Sequence, residues 1–441
     1  MTITTELTIT ERIFQLLQHL GIKQAHFASR NLGDLTDFAE QHPGMFASLT
    51  LVCPAPPPID IIRPFGSKLL VFRGDRTNYD HLSQVLESLP EVTLAVLRND
   101  TAWSDLVARH AEEIISELLP FLAKQTPAGL SNLPGHDRKY GVVAGISYHI
   151  QGSGPPLVLM PLGLVPSQWD PIMPILAENY CTITLGGAEL GMVSLLEKRA
   201  TTAGYLDMVK SLVQEAQLQP GESVLEVGSG TGALSRWLAG HTSRRNPITG
   251  VDINRYFLRE ATDMAHNAGL GDTVQFREGN ATALPFADDQ FDMTMAVTVL
   301  EEVDADEALA EMIRVTRLGG TVGVIVRAKD IPYYVNLPLT DSLKAKVQHP
   351  SAQGGAAAEK GCADAGLYQR FQASILTGVK MYPYLAAFNE EFVIDIFQGS
   401  VGHILDQSEK EELQRACAQA RAEGTFVFSY PHHCAVGKKP A

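Results

Sequence analysis

The chain of 441 residues is short of cysteine, of basic residues and of long apolar runs, and each shortage removes a class of protein. Its five cysteines, at positions 53, 181, 362, 417 and 434, are scattered and odd in number. No Cys-x-x-Cys and no Cys/His zinc spacing occurs, so the thiols read as reduced and a disulfide framework is excluded. Cys434 follows His432 and His433. Three adjacent residues of a strand cannot all face one ion, so no metal site is expected. Lysine and arginine number 35 against 50 aspartates and glutamates, a formal net charge of −15. Such a balance argues against a general nucleic-acid-binding surface and leaves room for a local basic pocket. No stretch holds 18 uninterrupted apolar residues, and the opening Met-Thr-Ile-Thr-Thr-Glu lacks the basic and apolar regions of a secretory signal. No membrane span and a cytoplasmic location are expected. What remains, with 45% hydrophobic and 19% charged residues, is ordinary globular composition over two or three domains.

Two nucleotide-binding patterns are also missing. The chain offers Gly-x-Gly-x-Gly at 228–232, neither the Gly-x-Gly-x-x-Gly of a dinucleotide fold nor a glycine-rich loop ending in Gly-Lys-Ser/Thr. What is there is Val-Leu-Glu-Val-Gly-Ser-Gly-Thr-Gly-Ala-Leu-Ser over 224–235. It reads as a buried strand, a sharp turn and a helix whose first N–H groups and positive dipole end face a ligand. Glu226 sits beside that turn. A carboxylate there repels a pyrophosphate and attracts an ammonium, so a nucleoside with an amino-acid tail fits better than a phosphate ester.

These residues resemble the first motif of class I S-adenosylmethionine (SAM) methyltransferases, and the resemblance continues downstream. The strand predicted at 248–252 ends on Asp252, twenty-odd residues after the glycine turn, where an acid can accept both ribose hydroxyls. The third strand, 274–277, leads to Asn280 and Ala281. The family commonly has Asp at the Asn280 position, and the asparagine amide oxygen can still accept from an adenine amino group. Leu284-Pro-Phe with Phe291-Asp292 resembles the approach to the fourth strand, 293–297. Residues 311–320 resemble the following helix and turn, with Leu318 in place of the usual proline. Residues 321–327 are the fifth strand, and 369–377 resemble the sixth. Helices are expected over 390–405 and 408–422, the second opened by a capping box of Ser408 and Glu411. The last strand, within 425–438, should run antiparallel between the fifth and sixth.

The resemblance therefore implies SAM as cofactor, held by Glu226, Gly228, Ser229, Gly230, Gly232, Asp252, Ile253, Asn280, Ala281 and the backbone near Val297. Tyr205, on the helix that leads into the first strand, is a further contact by the same analogy.

The amino-terminal part alternates strands and helices, as in a parallel α/β sheet. Residues 20–54 and 68–100 resemble the second half of an α/β-hydrolase, and residues 145–187 its first half. The halves stand in swapped order, as in a circular permutation. The triad is weakened throughout. Ser29 lacks the flanking glycines of a nucleophile elbow. The acid position falls near Thr77, with Asp75 close by. The histidine position near 100–102 holds none, and His110 is read as a surface residue within a helix over 103–122. Pro161-Leu162 replaces the oxyanion His-Gly. A scaffold without hydrolase chemistry is expected. A helix over 80–88, a linker over 126–139, a second boundary near 190–202 and a mobile loop over 353–361 complete the reading.

The expected fold is thus α/β. A Rossmann-like seven-stranded class I methyltransferase domain occupies 200–441, and a degenerate α/β-hydrolase-like domain occupies 1–190. The carboxyl edge of the methyltransferase sheet receives Glu301 and Glu302, then Arg327 and Asn336, then His432 and His433. Near-neutral titration makes histidine the natural general base, and only one of the adjacent pair should face the pocket. Arg327 either clamps an anionic acceptor or pairs with Glu301 or Glu302. Tyr333, Tyr334, Tyr382 and Tyr384 either line an aromatic acceptor site or pack the core. His432, His433, Glu302 and Arg327 are the catalytic candidates.

The fourth strand lacks the Asp/Asn-Pro-Pro-Tyr/Phe pattern of nucleic-acid amino methylation, and no Pro-Cys nucleophile appears. The expected activity is methyl transfer to the oxygen or carbon of a small molecule, in secondary or quinone-like metabolism, by a chain that could form a homodimer. Two alternatives stand beside it: a SAM-binding protein without transfer, and a hydrolase with a regulatory SAM domain.

Overall fold

The computed structural model describes residues 7–54, 57–74, 86, 88–89, 91–98, 106–127, 130, 140–353 and 357–441. They belong to two compact units, Met1–Leu195 and Leu196–Ala441. The division falls inside a helix, Gly191–Arg199.

The first unit is one eight-stranded sheet. Its strands are β1 (Ala25–Ser29), β2 (Phe46–Val52), β3 (Leu69–Gly74), β4 (Thr93–Leu97), β5 (Tyr140–Val143), β6 (Ile146–Gln151), β7 (Pro156–Leu159) and β8 (Cys181–Gly186). They lie in the order β4-β3-β2-β1-β7-β8-β6-β5. Pairing is parallel from β4 to β8 and antiparallel on to β6 and β5. β1 and β2 are buried end to end because alternate residues feed two cores. Phe27, Leu49 and Val71 enter one, and Ala28, Leu70 and Phe72 the other. The chain thus starts in mid-sheet, builds out to β4 and resumes at the opposite edge with β5.

The second unit holds β9 (Val224–Val227), β10 (Ile248–Asp252), β11 (Val274–Glu278), β12 (Phe291–Val297), β13 (Thr316–Arg327), β14 (Tyr334–Val335), β15 (Thr377–Phe388) and β16 (Phe428–Lys438). The order is β11-β10-β9-β12-β13-β16, with β15 on the far flank of β16 and β14 beside its first residues. β9 to β13 run parallel, and β16 is antiparallel to both β13 and β15. This is the expected Rossmann-like arrangement, with the last strand between the fifth and sixth. The strand order turns outward in both directions from β9, so a topological switch point lies between β9 and β12. Side-chain caps set the crossover helices: Asn254 accepts from the N–H groups of Tyr256 and Phe257, and Asp304 from those of Asp306 and Glu307.

Several expectations are corrected. Residues 369–377 are not the sixth strand. Leu367 and Phe371, four apart, are buried by a helix, Gly366–Ala373, and the strand is β15. Of residues 311–320, read as a helix and a turn, the helix ends at Val315 and 316–320 belong to β13 rather than preceding it. Thr316 already pairs with Phe291, and a register shift before Thr321 absorbs the intervening residues. The capping box lies two residues before Ser408, where Asp406 accepts from the Glu409 N–H at 2.9 Å. The long helix over 103–122 appears as Leu106–Arg109 and Ala111–Gln125, and His110 between them is buried at 6% exposure, not on the surface. The helix at 80–88 and the linker at 126–139 fall largely outside the described residues; of the loop at 353–361 only 354–356 do, and beyond them Ala358 donates its N–H to the Glu301 carbonyl and Gly361 to that of Ala358, both at 2.8 Å.

Candidate functional site

The turn leaving β9 stands at the switch point. Gly228 and Gly232 both have φ +72°, and a Cβ on either would come within 2.3 Å of Val299 or of the Phe276 ring. Neither can carry a side chain. Gly230 differs: a Cβ there would meet only Leu196, at 3.5 Å. The turn is therefore closed at its two ends and open at its middle, which gives a ligand backbone to lie against. Ser229 is buried, and its Oγ has no partner among the described residues. A buried hydroxyl without a partner fits a missing polar ligand.

Two carboxylates flank the turn. Glu226 is 4% exposed and accepts a hydrogen bond from Ser235 Oγ on the first turn of the next helix. Burial pushes its carboxyl up to about 7, against the Ser235 hydrogen bond and the Arg236 charge and with help from Asp252. Asp252 ends β10. Its Oδ2 accepts from the Gly230 N–H and its Oδ1 from the Asn254 N–H, both at 2.8 Å. Burial raises its carboxyl in spite of those bonds. Its oxygens keep acceptor capacity for a further donor. Beyond it Ile253 is 68% exposed, an apolar side chain presented at the sheet's carboxyl edge.

Asn280 is exposed, and its amide oxygen accepts from the Thr282 N–H at 3.1 Å. The oxygen expected to meet adenine is thus engaged in a local turn and has one lone pair left. Ala281 and Val297 are buried. Thr298, next after Val297, has φ +57° and donates its N–H to the Ile325 carbonyl at 2.8 Å. A β-branched residue in the left-handed region is strained, and this strain sits at the mouth of β12.

The catalytic candidates divide. Arg327 pairs with both of its expected partners: Glu301 Oε1 at 3.2 Å and Glu302 Oε1 at 3.0 Å. Glu301 is 1% exposed, accepts the Arg327 backbone N–H as well, and leaves its Oε2 without a partner among the described residues. His432 lies opposite Arg327 across the ladder. Its Nδ1 is 3.1 Å from the Tyr430 carbonyl, so Nδ1 carries the proton and Nε2 the lone pair. Burial lowers its titration to about 3, despite the Tyr430 bond. The near-neutral histidine expected from sequence is therefore a neutral imidazole.

His433 points to the other face. Its Nδ1 meets Tyr368 Oη at 2.8 Å and its Nε2 meets Asp330 Oδ1 at 2.7 Å. Sequence reasoning missed two groups that hold the turn: Ser235, which donates to Glu226, and Glu197, which accepts from Thr231 Oγ1 at 2.6 Å and pairs with Arg236. Ser235 could have been found by its place on the first turn of the helix that Glu226 faces. Glu197 lies in a segment whose residues mark only a boundary. Among the described residues no group of three His, Cys, Asp or Glu is placed to hold a metal, and no helix is long and apolar enough to cross a membrane.

In the first unit Ser29 is 5% exposed and donates to the Asn31 carbonyl at 2.7 Å. His26 is buried between Ser48 and Thr126, and burial lowers its titration to about 4. The acid and histidine positions near 75–77 and 100–102 lie outside the described residues.

Residues 225–324 match the family model described as a methyltransferase domain. Methyltransferase GfsG of Streptomyces halstedii is 35% identical over 118 residues, which cover 26% of this chain and 42% of that protein. The ubiquinone/menaquinone biosynthesis C-methyltransferase UbiE of Hahella chejuensis is 32% identical over 145 residues, 30% of this chain and 58% of that protein. The chain spans about half the length of these curated relatives. Among solved structures, a methyltransferase-type protein of Bacillus halodurans aligns over 53% of this chain and 100% of its own, with 16% identity and a TM-score of 0.36.

Proposed function

We propose, from the premise that residues 225–324 are a methyltransferase domain, that the unit Leu196–Ala441 is a SAM-dependent methyltransferase acting on a small-molecule oxygen or carbon. The observation that carries this is the open middle of the glycine turn at Gly230, set between the Glu226 and Asp252 carboxylates at the switch point. Bound there, SAM supplies a sulfonium methyl for in-line displacement. The chain's part is to hold nucleophile and methyl in line. Asp252 holds the ribose, Ile253 covers the base, and Glu226 attracts the ammonium end.

His432 presents a neutral Nε2 that accepts a hydrogen bond from the acceptor's O–H or C–H acid and orients it. Held at about 3, it does not change charge near neutrality. His432→Gln is therefore expected to slow transfer without altering the shape of the pH–rate profile between about pH 6 and about pH 8. Loss of an inflection in that window would contradict this role. His433, tied to Tyr368 and Asp330, stiffens the far face.

The swapped order of segments in the first sheet supports reading that unit as a permuted hydrolase-like scaffold. Its buried Ser29 and His26 favour support over ester cleavage. The net charge of −15 favours a small molecule over nucleic acid as acceptor. A cytoplasmic homodimer belongs to the same reading.

Calorimetric titration of SAM into the full chain tests it, beside the variant Asp252→Ala. Binding that this variant weakens tenfold or more, about 1.4 kcal/mol, is expected. A folded protein that binds no SAM would overturn the reading.

A further inference from the structure

Two side chains at the carboxyl edge each keep one hydrogen-bonding atom in reserve. In Arg327, Nε is taken by Glu301 and Nη2 by Glu302, and Nη1 has no partner among the described residues. In His432, Nδ1 is taken by the Tyr430 carbonyl, and Nε2 has no partner among the described residues. Arg327 and His432 face one another across the antiparallel ladder, so their side chains leave the sheet side by side on one face. They stand two residues further out along β13 and β16 than Ile325 and Cys434, and Ile325 is the partner of Val297.

A flat wall adjoins the pair. Tyr430 precedes His432 by two residues and shares its face of β16. Its half-buried ring lies 5.3 Å from the imidazole and 4.9 Å from the Tyr333 ring. Rings at such spacings offer a stacking surface to a further planar group.

The reserve is thus one cationic donor and one neutral lone pair. An ammonium would be repelled by Arg327. A carboxylic acid ionises at neutral pH, meets two carboxylates already on the guanidinium and has no proton for His432. A phenol can donate to His432, but if its one oxygen also accepted from Arg327 the lone pair that must attack would be tied up. The second hydroxyl of a catechol could accept from Arg327, yet its own proton would go unmet. A carbonyl beside the hydroxyl accepts, carries no proton and leaves the hydroxyl oxygen free.

We propose that the methyl acceptor is a planar, neutral hydroxy-ketone, its carbonyl oxygen held by Arg327 Nη1, its hydroxyl donating to His432 Nε2 and its ring stacked on Tyr430. This rests on the SAM-dependent reading and narrows the acceptor atom to oxygen. As the methyl passes across, the sulfur–carbon bond breaks with its electron pair left on sulfur, and an oxygen–carbon bond forms. The hydroxyl proton leaves to His432 Nε2 and from there to water. A weakly basic imidazole suffices, because a hydroxyl oxygen gaining a methyl becomes a strong acid.

Three probes test it on the full chain loaded with S-adenosylhomocysteine. 3-Hydroxychromone carries both groups, chromone the carbonyl alone and 2-naphthol the hydroxyl alone. 3-Hydroxychromone is expected to bind about tenfold or more tightly than either. Its fluorescence is a second readout. Free, it bonds its hydroxyl to its own carbonyl and emits from the proton-transferred form; held by Arg327 and His432, it should shift to the shorter-wavelength band. His432→Phe should abolish the preference over chromone and restore the longer-wavelength band, with chromone itself within about twofold, which also shows that the variant is folded. Arg327→Lys keeps the charge but not the fork, and should abolish the preference over 2-naphthol. Supplied with SAM, the wild type should yield 3-methoxychromone. Equal wild-type affinity for the three probes would overturn the proposal; so would an equal loss of 3-hydroxychromone and chromone in His432→Phe, or absence of the methylated product. A chain that binds S-adenosylhomocysteine but fails these tests leaves the SAM-dependent reading standing. A folded chain that binds no S-adenosylhomocysteine would overturn that reading itself.

Discussion

Arg327→Ala is expected to cost about 3 kcal/mol of folding free energy at neutral pH, the low end of the range for breaking a buried ion pair. Glu301 is 1% exposed, whereas a third of the Arg327 side chain reaches solvent, so screening keeps the cost from the upper end. With the guanidinium gone, Glu301 keeps the Arg327 backbone N–H at 2.7 Å, and its Oε2 stays without a partner among the described residues. Burial already raises this carboxyl against the pull of Arg327. Without that pull it rises further, and the folded state then holds a proton that the unfolded state lacks. The penalty should therefore shrink as pH falls towards the ordinary glutamate value and grow as pH rises. Denaturant titration across pH gives the measurement. The double variant Arg327→Ala, Glu301→Gln should recover most of the loss. A cost below about 1 kcal/mol would mean that the pair is solvated like a surface bridge.

Glu226→Gln is expected to do the reverse. The folded carboxyl stands at about 7 against an ordinary 4.5, chiefly through burial. Between those values the folded state binds a proton that the unfolded state releases, so wild-type stability falls as pH rises through the window. At about 1.4 kcal/mol per unit, the loss reaches on the order of 3 kcal/mol by pH 7. The amide carries no charge and can still accept from Ser235. Wild type and variant should match below about pH 4.5, and the variant should be the more stable above about pH 7. The same change should weaken SAM, because the carboxylate that attracts its ammonium is gone. Stability given up at a binding site is a common trade. Parallel stability curves for the two proteins would contradict this account.

What the sequence discloses follows from how local each cause is. The glycine turn and the acid ending β10 are short-range features, and both stand where the spacing predicts. The pairing of β13 with β16 came only from the family resemblance, because the neighbour of a strand is not encoded in its own residues. The sixth strand was misplaced because residues 369–377 carry apolar side chains at spacings that serve either period, and only the burial of Leu367 with Phe371 decides for a helix. His432 shows a different limit. Its residue type suggested a base that titrates near neutrality, yet its chemistry is set by burial and by the Tyr430 carbonyl, neither of which a residue type encodes. Glu197 shows a third limit: its partners Thr231 and Arg236 lie more than thirty positions onward, beyond the reach of a local pattern.

The mid-sheet start of the first unit sets a timetable for synthesis. β1 pairs on one side with β2, which follows at once, but on the other with β7, whose first residue is 156. At ordinary translation speeds that second neighbour appears roughly 6 to 25 seconds after β1. Throughout that interval the strand destined for the centre of the sheet is an open apolar edge on the ribosome, the kind of surface that recruits chaperones or a wrong partner.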